Sequence, residues 1–231
     1  MNTKIVRVLV FSIFVTILLS LIQFSPGVRL SRSSELTEVS EEFIEAVEAL
    51  DQDQYERASR LLEKYSGDPP LGDYSRYLLA RADISRGKHE KALSVLERIS
   101  PGSGVIAFEK FYLKSKVLLA MERLERAGES TEQALGEAVT KEEKRKILEL
   151  QLTIAVNSNS YSDALKRGID LVEVTNLRFV GEKRDQLLDR LRKIIQEVSF
   201  DNSGSLEHLN RYIDLLMNYG EYRRARSILL R

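Results

Sequence analysis

Two histidines, His89 and His208, and no cysteine limit the chemistry open to this chain. A thiolate nucleophile, a zinc–thiolate site, a disulfide and a lipid-bearing cysteine all need a sulfur that is absent. The histidines do not form the pair at helical spacing that a zinc helix uses. Pro101-Gly102-Ser103-Gly104 precedes a helical stretch and could hold an anion on its backbone N–H groups. It lacks the Gly-Lys-Ser/Thr ending and the preceding strand of a phosphate loop, and it reads as the lead-in to a helix. Carboxylates are abundant, yet no surrounding signature marks one as a general acid. Arg211, Arg223, Arg224, Arg226 and Arg231 concentrate base near the end, while Glu35 to Glu56 carries nine acids and no base. Both runs read first as solvated helix faces. Their sharper readings are a groove for a peptide or anionic glycan and a docking strip for a basic partner. No catalytic, cofactor-binding or metal-ligating residue emerges, and no cofactor is expected.

The elements that carry these residues are helical. Of 231 residues, 43% are hydrophobic and only four are proline, enough apolar material for one domain or one run of repeats. From Asp73 to Ile99, apolar residues recur near a 3.6-residue period on either side of Gly87, which predicts two antiparallel helices joined by a tight turn. A lone hairpin cannot bury its apolar face, so copies of it must stack alongside. Tyr55-Glu56-Arg57-Ala58, His89-Glu90-Lys91-Ala92, Leu124-Glu125-Arg126-Ala127, Tyr161-Ser162-Asp163-Ala164 and Tyr222-Arg223-Arg224-Ala225 each set a bulky residue three before an alanine. Successive alanines lie 34, 35, 37 and 61 residues apart. This resembles the tetratricopeptide repeat, whose second helix opens on such a step with a 34-residue period.

Two further positions share the register. Five before each alanine, where the chain must turn, stand Asp53, Gly87, Glu122, Asn159 and Gly220. Twelve before it, where two helices cross, Ala46, Ala80 and Ser115 are small while Leu152 and Ile213 are not. Ala46, Ala58, Ala80, Ala92, Ala127, Ala164 and Ala225, with Gly87, Gly220, Tyr55, His89, Leu124, Tyr161 and Tyr222, are assigned to repeat packing. The 61-residue gap predicts a lone helix over 180–199, and Asp201-Asn202-Ser203-Gly204 reads as a turn before another helix at Leu206. The expected fold is an all-α, right-handed solenoid of antiparallel helix pairs over 35–231, incomplete at its carboxyl end, with no strand.

Pro70-Leu71-Gly72-Asp73-Tyr74, then Tyr77-Leu78-Leu79-Ala80 and Gly87 through Ala92-Leu93, resemble helical segments in the amino-terminal superhelical region of periplasmic soluble lytic transglycosylases. The resemblance covers residues 40–231. In that family a carboxy-terminal lysozyme-like domain carries the catalytic glutamate in a Glu-Ser motif. This chain has Glu129-Ser130, but no Gly-Leu-Met-Gln-type sequence follows and there is no lysozyme-like segment. The resemblance therefore implies the noncatalytic scaffold and carries over no catalytic residue.

At the amino terminus, Lys4 and Arg7 precede an apolar run from Val8 to Phe24. Counted from Ile5 with Arg7 at the interface, residues 5–24 reach across a hydrocarbon core of about 30 Å as a helix. This is a signal peptide or a signal anchor, and its length, with no small-x-small cleavage site after it, favours the anchor. Ser12, Thr16 and Ser20 fall on one helix face, where small hydroxyl residues permit close helix approach. A Pro, Gly and Ser linker follows at 25–34. Lys plus Arg and Asp plus Glu both total 35, so no global charge attracts nucleic acid. The amino-terminal basic residues place the body outside the cytoplasm, in the bacterial periplasm. The chain as read is an envelope scaffold presenting a curved surface to a protein partner or a peptidoglycan strand. It is expected to be either the amino-terminal portion of a lytic transglycosylase or a complete membrane-anchored adaptor.

Overall fold

A computed structural model of the chain describes residues 32–67, 71–100, 106–175, 182–199 and 203–230. The hydrophobic segment 5–24 with its Ser12, Thr16 and Ser20, most of the linker, and Pro101 to Gly104 lie outside the described residues. Within them are eleven α-helices and no strand. No helix among the described residues is long and apolar enough to cross a membrane.

Five antiparallel pairs form: α1 (Arg32–Asp51) with α2 (Tyr55–Tyr65), α3 (Gly72–Ser85) with α4 (His89–Glu97), and α5 (Ala107–Ala120) with α6 (Leu124–Glu137). Then come α7 (Lys141–Asn157) with α8 (Tyr161–Thr175), and α10 (Ser203–Asn218) with α11 (Tyr222–Leu229). The unpaired α9 (Glu182–Glu197) fills the gap between the last two pairs. Helix α1 begins at Arg32, inside the stretch expected as linker. Each pair packs on the next, which makes the chain an all-α solenoid of antiparallel helix pairs.

The same turn closes all five pairs. Asp53, Gly87, Glu122, Asn159 and Gly220 hold φ between 57° and 76°, the left-handed conformation that ends a helix. At each, the residue's own N–H bonds back three residues, to Leu50, Ile84, Leu119, Val156 and Met217. The next N–H bonds back five, to Ala49, Asp83, Leu118, Ala155 and Leu216. This double bond pattern satisfies carbonyls that the helix end leaves open. The N–H of Ala58, Ala92, Ala127, Ala164 and Ala225 then closes the first turn of each second helix. All five alanines are at most 1% exposed.

A methyl group at that point lets the two helices of a pair approach. Across from it lie Ala46, Ala80 and Ser115, fully buried, then the larger Leu152 and Ile213, also buried. The core is a chain of clusters. One runs from α1 through α6 and takes in Ile154 of α7, another runs from α7 through α11, and a small one of Phe108, Ala134 and Ile147 sits where they meet.

Gly168 on α8 allows α9 to come in close, because a Cβ there would fall 2.1 Å from Leu191 Cδ2. The expected turn at 201–204 is partly helix. Ser203 and Gly204 open α10, whose first turn is anchored by buried Ser205, its hydroxyl 3.1 Å from that of Ser162 on α8.

Candidate ligand-binding face

Helices α1, α3, α5 and α7 open their pairs, and α3 touches α5 as α5 touches α7. No two second helices among the described residues pack on each other as closely. From α3 to α7 the first helices thus stack on one another as a continuous layer.

Two consecutive members of that layer carry the same pair of side chains. Fifteen residues before the repeat alanine stand Tyr77 and Tyr112, and eleven before it Arg81 and Lys116. One helical turn separates tyrosine and cation in each pair, so they meet on one face. The Arg81 guanidinium lies 5.8 Å from the Tyr77 ring centroid, and Lys116 Nζ lies 5.6 Å from that of Tyr112. These are cation–π distances.

Aromatic packing continues on both sides, ending in the buried rings of Phe43 and Phe108. Tyr74 stacks on Tyr77 at 6.0 Å and meets Phe43 of α1 at 6.1 Å, while Phe108 stacks on Tyr112 at 5.7 Å. Burial pushes the Tyr77 phenol up to about 12, with Glu109 of α5 adding to the rise and Arg81 opposing it. Burial also raises Tyr112, helped by Glu109 and Glu149 and opposed by Arg145. Both phenols therefore stay neutral and offer a hydroxyl beside a flat apolar ring. These electrostatic neighbours show that the row is continuous, since Tyr77 on α3 faces α5 and Tyr112 on α5 faces α7.

At the α7 end the row opens into a cleft of about 560 Å³ between α7, α8 and α9. Leu152, Leu171 and Leu187 form its apolar wall. Arg145 is neutralised there by Glu142 and Glu149 of its own helix. Arg190 of α9 is not: its Nη2 donates to the Thr153 hydroxyl at 3.4 Å, and it has no carboxylate partner among the described residues. Arg81 and Lys116 also lack a carboxylate partner there. Among the described residues no cluster of His, Cys, Asp and Glu could hold a metal ion.

Most residues assigned to packing lie in the interior. Ala46, Ala58, Ala80, Ala92, Ala127, Ala164 and Ala225 are buried, and Tyr55, His89, Leu124 and Tyr161 are half-buried at the helix junctions. Tyr55 and Tyr161 donate their hydroxyls to Asp53 and Asn159, fastening the turn two residues away. Gly87 and Gly220 serve the turns through positive φ. Tyr222 departs from its assignment: it is 63% exposed, with no aromatic or hydrogen-bond contact recorded on α11. Glu129 and Ser130 sit in mid-α6, the first exposed and the second buried, far from any arrangement of acid and substrate cleft. His208 is half-buried on α10.

Sequence reading missed the tyrosine–cation row, although its signal was present. Tyr77 to Tyr112 and Arg81 to Lys116 are both 35-residue steps, the same as Ala92 to Ala127. Nothing in the sequence brings Arg190 to Thr153, because that depends on how α9 lies across the array.

No family model matches the chain, and no curated protein matches it in sequence. Among solved structures it is similar to a MamA RS-1 ArsTM double mutant, at 14% identity and a TM-score of 0.58 over 78% of this chain and 96% of that one. A putative kinesin light chain of Podosopora anserina with TPR-like repeats aligns at 15% identity and a TM-score of 0.38, over 83% of this chain and 92% of that one. The first likeness shows a shared fold, a helical-repeat scaffold of tetratricopeptide type.

Proposed function

We propose that this scaffold binds an extended segment of a partner protein along the first-helix layer, and that residues 5–24 tether it to the bacterial envelope with the repeats outside the cytoplasm. One observation supports the binding reading above others: the Tyr77–Arg81 and Tyr112–Lys116 pairs recur in register on the stacked first helices. Neutral tyrosines and unpaired cations on a rigid helical layer can grip both the backbone and the side chains of an extended chain. The envelope placement rests on Lys4, Arg7 and the apolar run that follows them. In the alternative reading, drawn from the Pro70 to Leu93 resemblance, the ligand is a peptidoglycan strand and the scaffold is the noncatalytic part of a lytic transglycosylase.

Selection of binders from a random peptide display library, with the detergent-solubilised full chain as bait, tests the proposal. Selected peptides should lose binding to Tyr112→Ala and retain it to Arg98→Ala, which alters an exposed cation at the end of α4. Peptides indifferent to Tyr112, alongside co-sedimentation of the chain with purified peptidoglycan that Tyr112→Ala abolishes, would shift the assignment to the glycan.

A further inference from the structure

Helix α9 breaks the repeat, yet it touches the binding layer at a register position. Fifteen and eleven residues before Ala164, where α3 and α5 carry a tyrosine and a cation, α7 carries Glu149 and Thr153. The cation is thus missing from α7 itself. Arg190 of α9 reaches the same place from outside the repeat, its guanidinium resting on the Thr153 hydroxyl. Arg145 is shared between Glu142 and Glu149, and Arg190 adds the second cation at this step, one without a carboxylate partner among the described residues.

The position of α9 is built in. Leu191, the neighbour of Arg190, is fully buried against Gly168, and Asp185 and Asp189 on α9 lie 3.4 and 3.6 Å from Arg224 of α11. Helix α9 is therefore held from two sides, with Arg190 aimed into the cleft that ends the row.

We infer that α9 supplies the third cation of an Arg81–Lys116–Arg190 ladder, and that the ladder binds an extended acidic peptide segment whose end enters the cleft beside Leu152, Leu171 and Leu187. The inference rests on the proposed reading of the first-helix layer as the binding face. Charge complementarity selects the occupant, since three cations without carboxylate partners among the described residues line up along the row, while Glu149 is held by Arg145. The apolar wall of the cleft selects for hydrophobic side chains between the acidic ones. Neighbouring helices pack about 8–10 Å apart, so α3, α5 and α7 span roughly 20 Å between outer axes. About six extended residues at ~3.3 Å each cover that distance.

Fluorescence polarisation with the detergent-solubilised full chain tests the inference, using a fluorescein-labelled peptide of about ten alternating Glu and Leu residues and a matched Lys–Leu peptide. The acidic probe should bind more tightly than the basic one. Arg81→Ala, Lys116→Ala and Arg190→Ala should each weaken it about twofold to fivefold, the range for one partly exposed charge pair. Arg192→Ala, on the opposite side of α9, should leave it unchanged. Thr153→Arg in the Arg190→Ala background should restore binding by returning the cation to the register position. If Arg190→Ala has no effect while Tyr112→Ala does, α9 is not part of the site and the binding face stands without it. If the basic probe binds as tightly as the acidic one, the ligand class is wrong. If neither probe responds to Tyr112→Ala and the display selection also yields no Tyr112-dependent peptide, the binding-face reading falls with the ladder.

Discussion

Asp73 and Asp83 are carboxylates on the same helix, α3, and the fold treats them oppositely. Burial pushes Asp73 up, but the Ser100 backbone N–H at 3.2 and 3.3 Å, the Ser100 side chain and Arg76 at 2.6 Å together outweigh it, so its pKa lies below the usual carboxylate range. That contact has a partner across the same peptide, since Lys110 of α5 donates to the Ile99 carbonyl at 2.8 Å. The end of the second hairpin is thereby clamped from both neighbours. At Asp83, burial is the larger effect. The side chain is fully buried, neither oxygen has a hydrogen-bond partner, and Arg86 and Lys91 stand off at 3.6 and 3.7 Å. Lys91, Arg86 and Lys88 pull its pKa down less than burial pushes it up. The signs follow by linkage. Asp73, depressed in the fold, contributes stability above its unfolded pKa and loses it as pH falls through the folded value. Asp83, raised in the fold, favours the native state fully only below its unfolded pKa, and that contribution disappears as pH rises through the folded value. Asp73→Asn should therefore lower stability near pH 7 by about 1–2 kcal/mol, the scale of a charge-assisted hydrogen bond, and the deficit should close in acid. Asp83→Asn should raise stability near neutral pH, because an uncompensated buried charge is removed while Arg86 keeps Glu56 and Lys91 keeps Glu63. Its advantage should shrink as pH falls into the carboxylate range. Urea denaturation of both variants across that range checks the pair, and equal signs at neutral pH would refute the account.

At the scale of elements, the five turns and the lone helix divide what is readable in sequence from what is not. The turns are legible because they are local. An alanine that must be small fixes the register, and the residue five before it must take positive φ, which Gly87 and Gly220 accept freely and Asp53 and Asn159 accept as short polar side chains. Glu122 takes the same φ of 58° with none of those advantages, which shows that the pair geometry overrides local preference. The existence of α9 is also legible, from Leu187, Leu191, Ile194 and Val198 on one stripe. Its placement is not, because that is decided by contacts between residues distant in sequence, Leu191 on Gly168 and Asp185 and Asp189 on Arg224. Nor did the apolar pattern mark Tyr77 and Tyr112 as a surface row, since half-buried tyrosines obey the same periodicity as core. The contact of Leu191 with Gly168 can be tested directly. A methyl group at Gly168 would collide with Leu191, which is fully buried and cannot swing aside freely. Overpacking costs about 1–3 kcal/mol, against a gain of about 1 kcal/mol in helix propensity on replacing Gly by Ala. Gly168→Ala should be destabilising on balance. Gly128→Ala in α6, where no atom lies within 4 Å of the new methyl, should stabilise by about 0.5–1 kcal/mol. Thermal denaturation of the two variants separates a steric role for Gly168 from a generic helix effect.

For the whole molecule, stability is a sum of neighbouring contacts, because each pair touches only those beside it. The core divides accordingly, with one cluster in α1 to α6, another in α7 to α11, and Phe108, Ala134 and Ile147, with Ile154 of α7 in the first cluster, at the seam. Leu165 on α8 is fully buried in the second cluster. Truncating it to alanine should cost about 2–5 kcal/mol, and that loss should fall on one half of the array. Leu165→Ala is therefore expected to unfold in two urea transitions, with amide protection lost across α7 to α11 first and α1 to α6 keeping theirs. A single transition displaced as a unit, with protection falling evenly along the chain, would show that the seam transmits stability fully. The binding row crosses this seam, since Tyr112 is on α5 and the cleft lies between α7, α8 and α9. A ligand lying along the row contacts both halves and binds only when both are folded. By mass action it adds about 2.7 kcal/mol to the native state at a hundred times its dissociation constant. Saturating Leu165→Ala with the acidic probe should draw the two transitions together, whereas a ligand confined to α3 and α5 would stabilise the first half alone and drive them further apart.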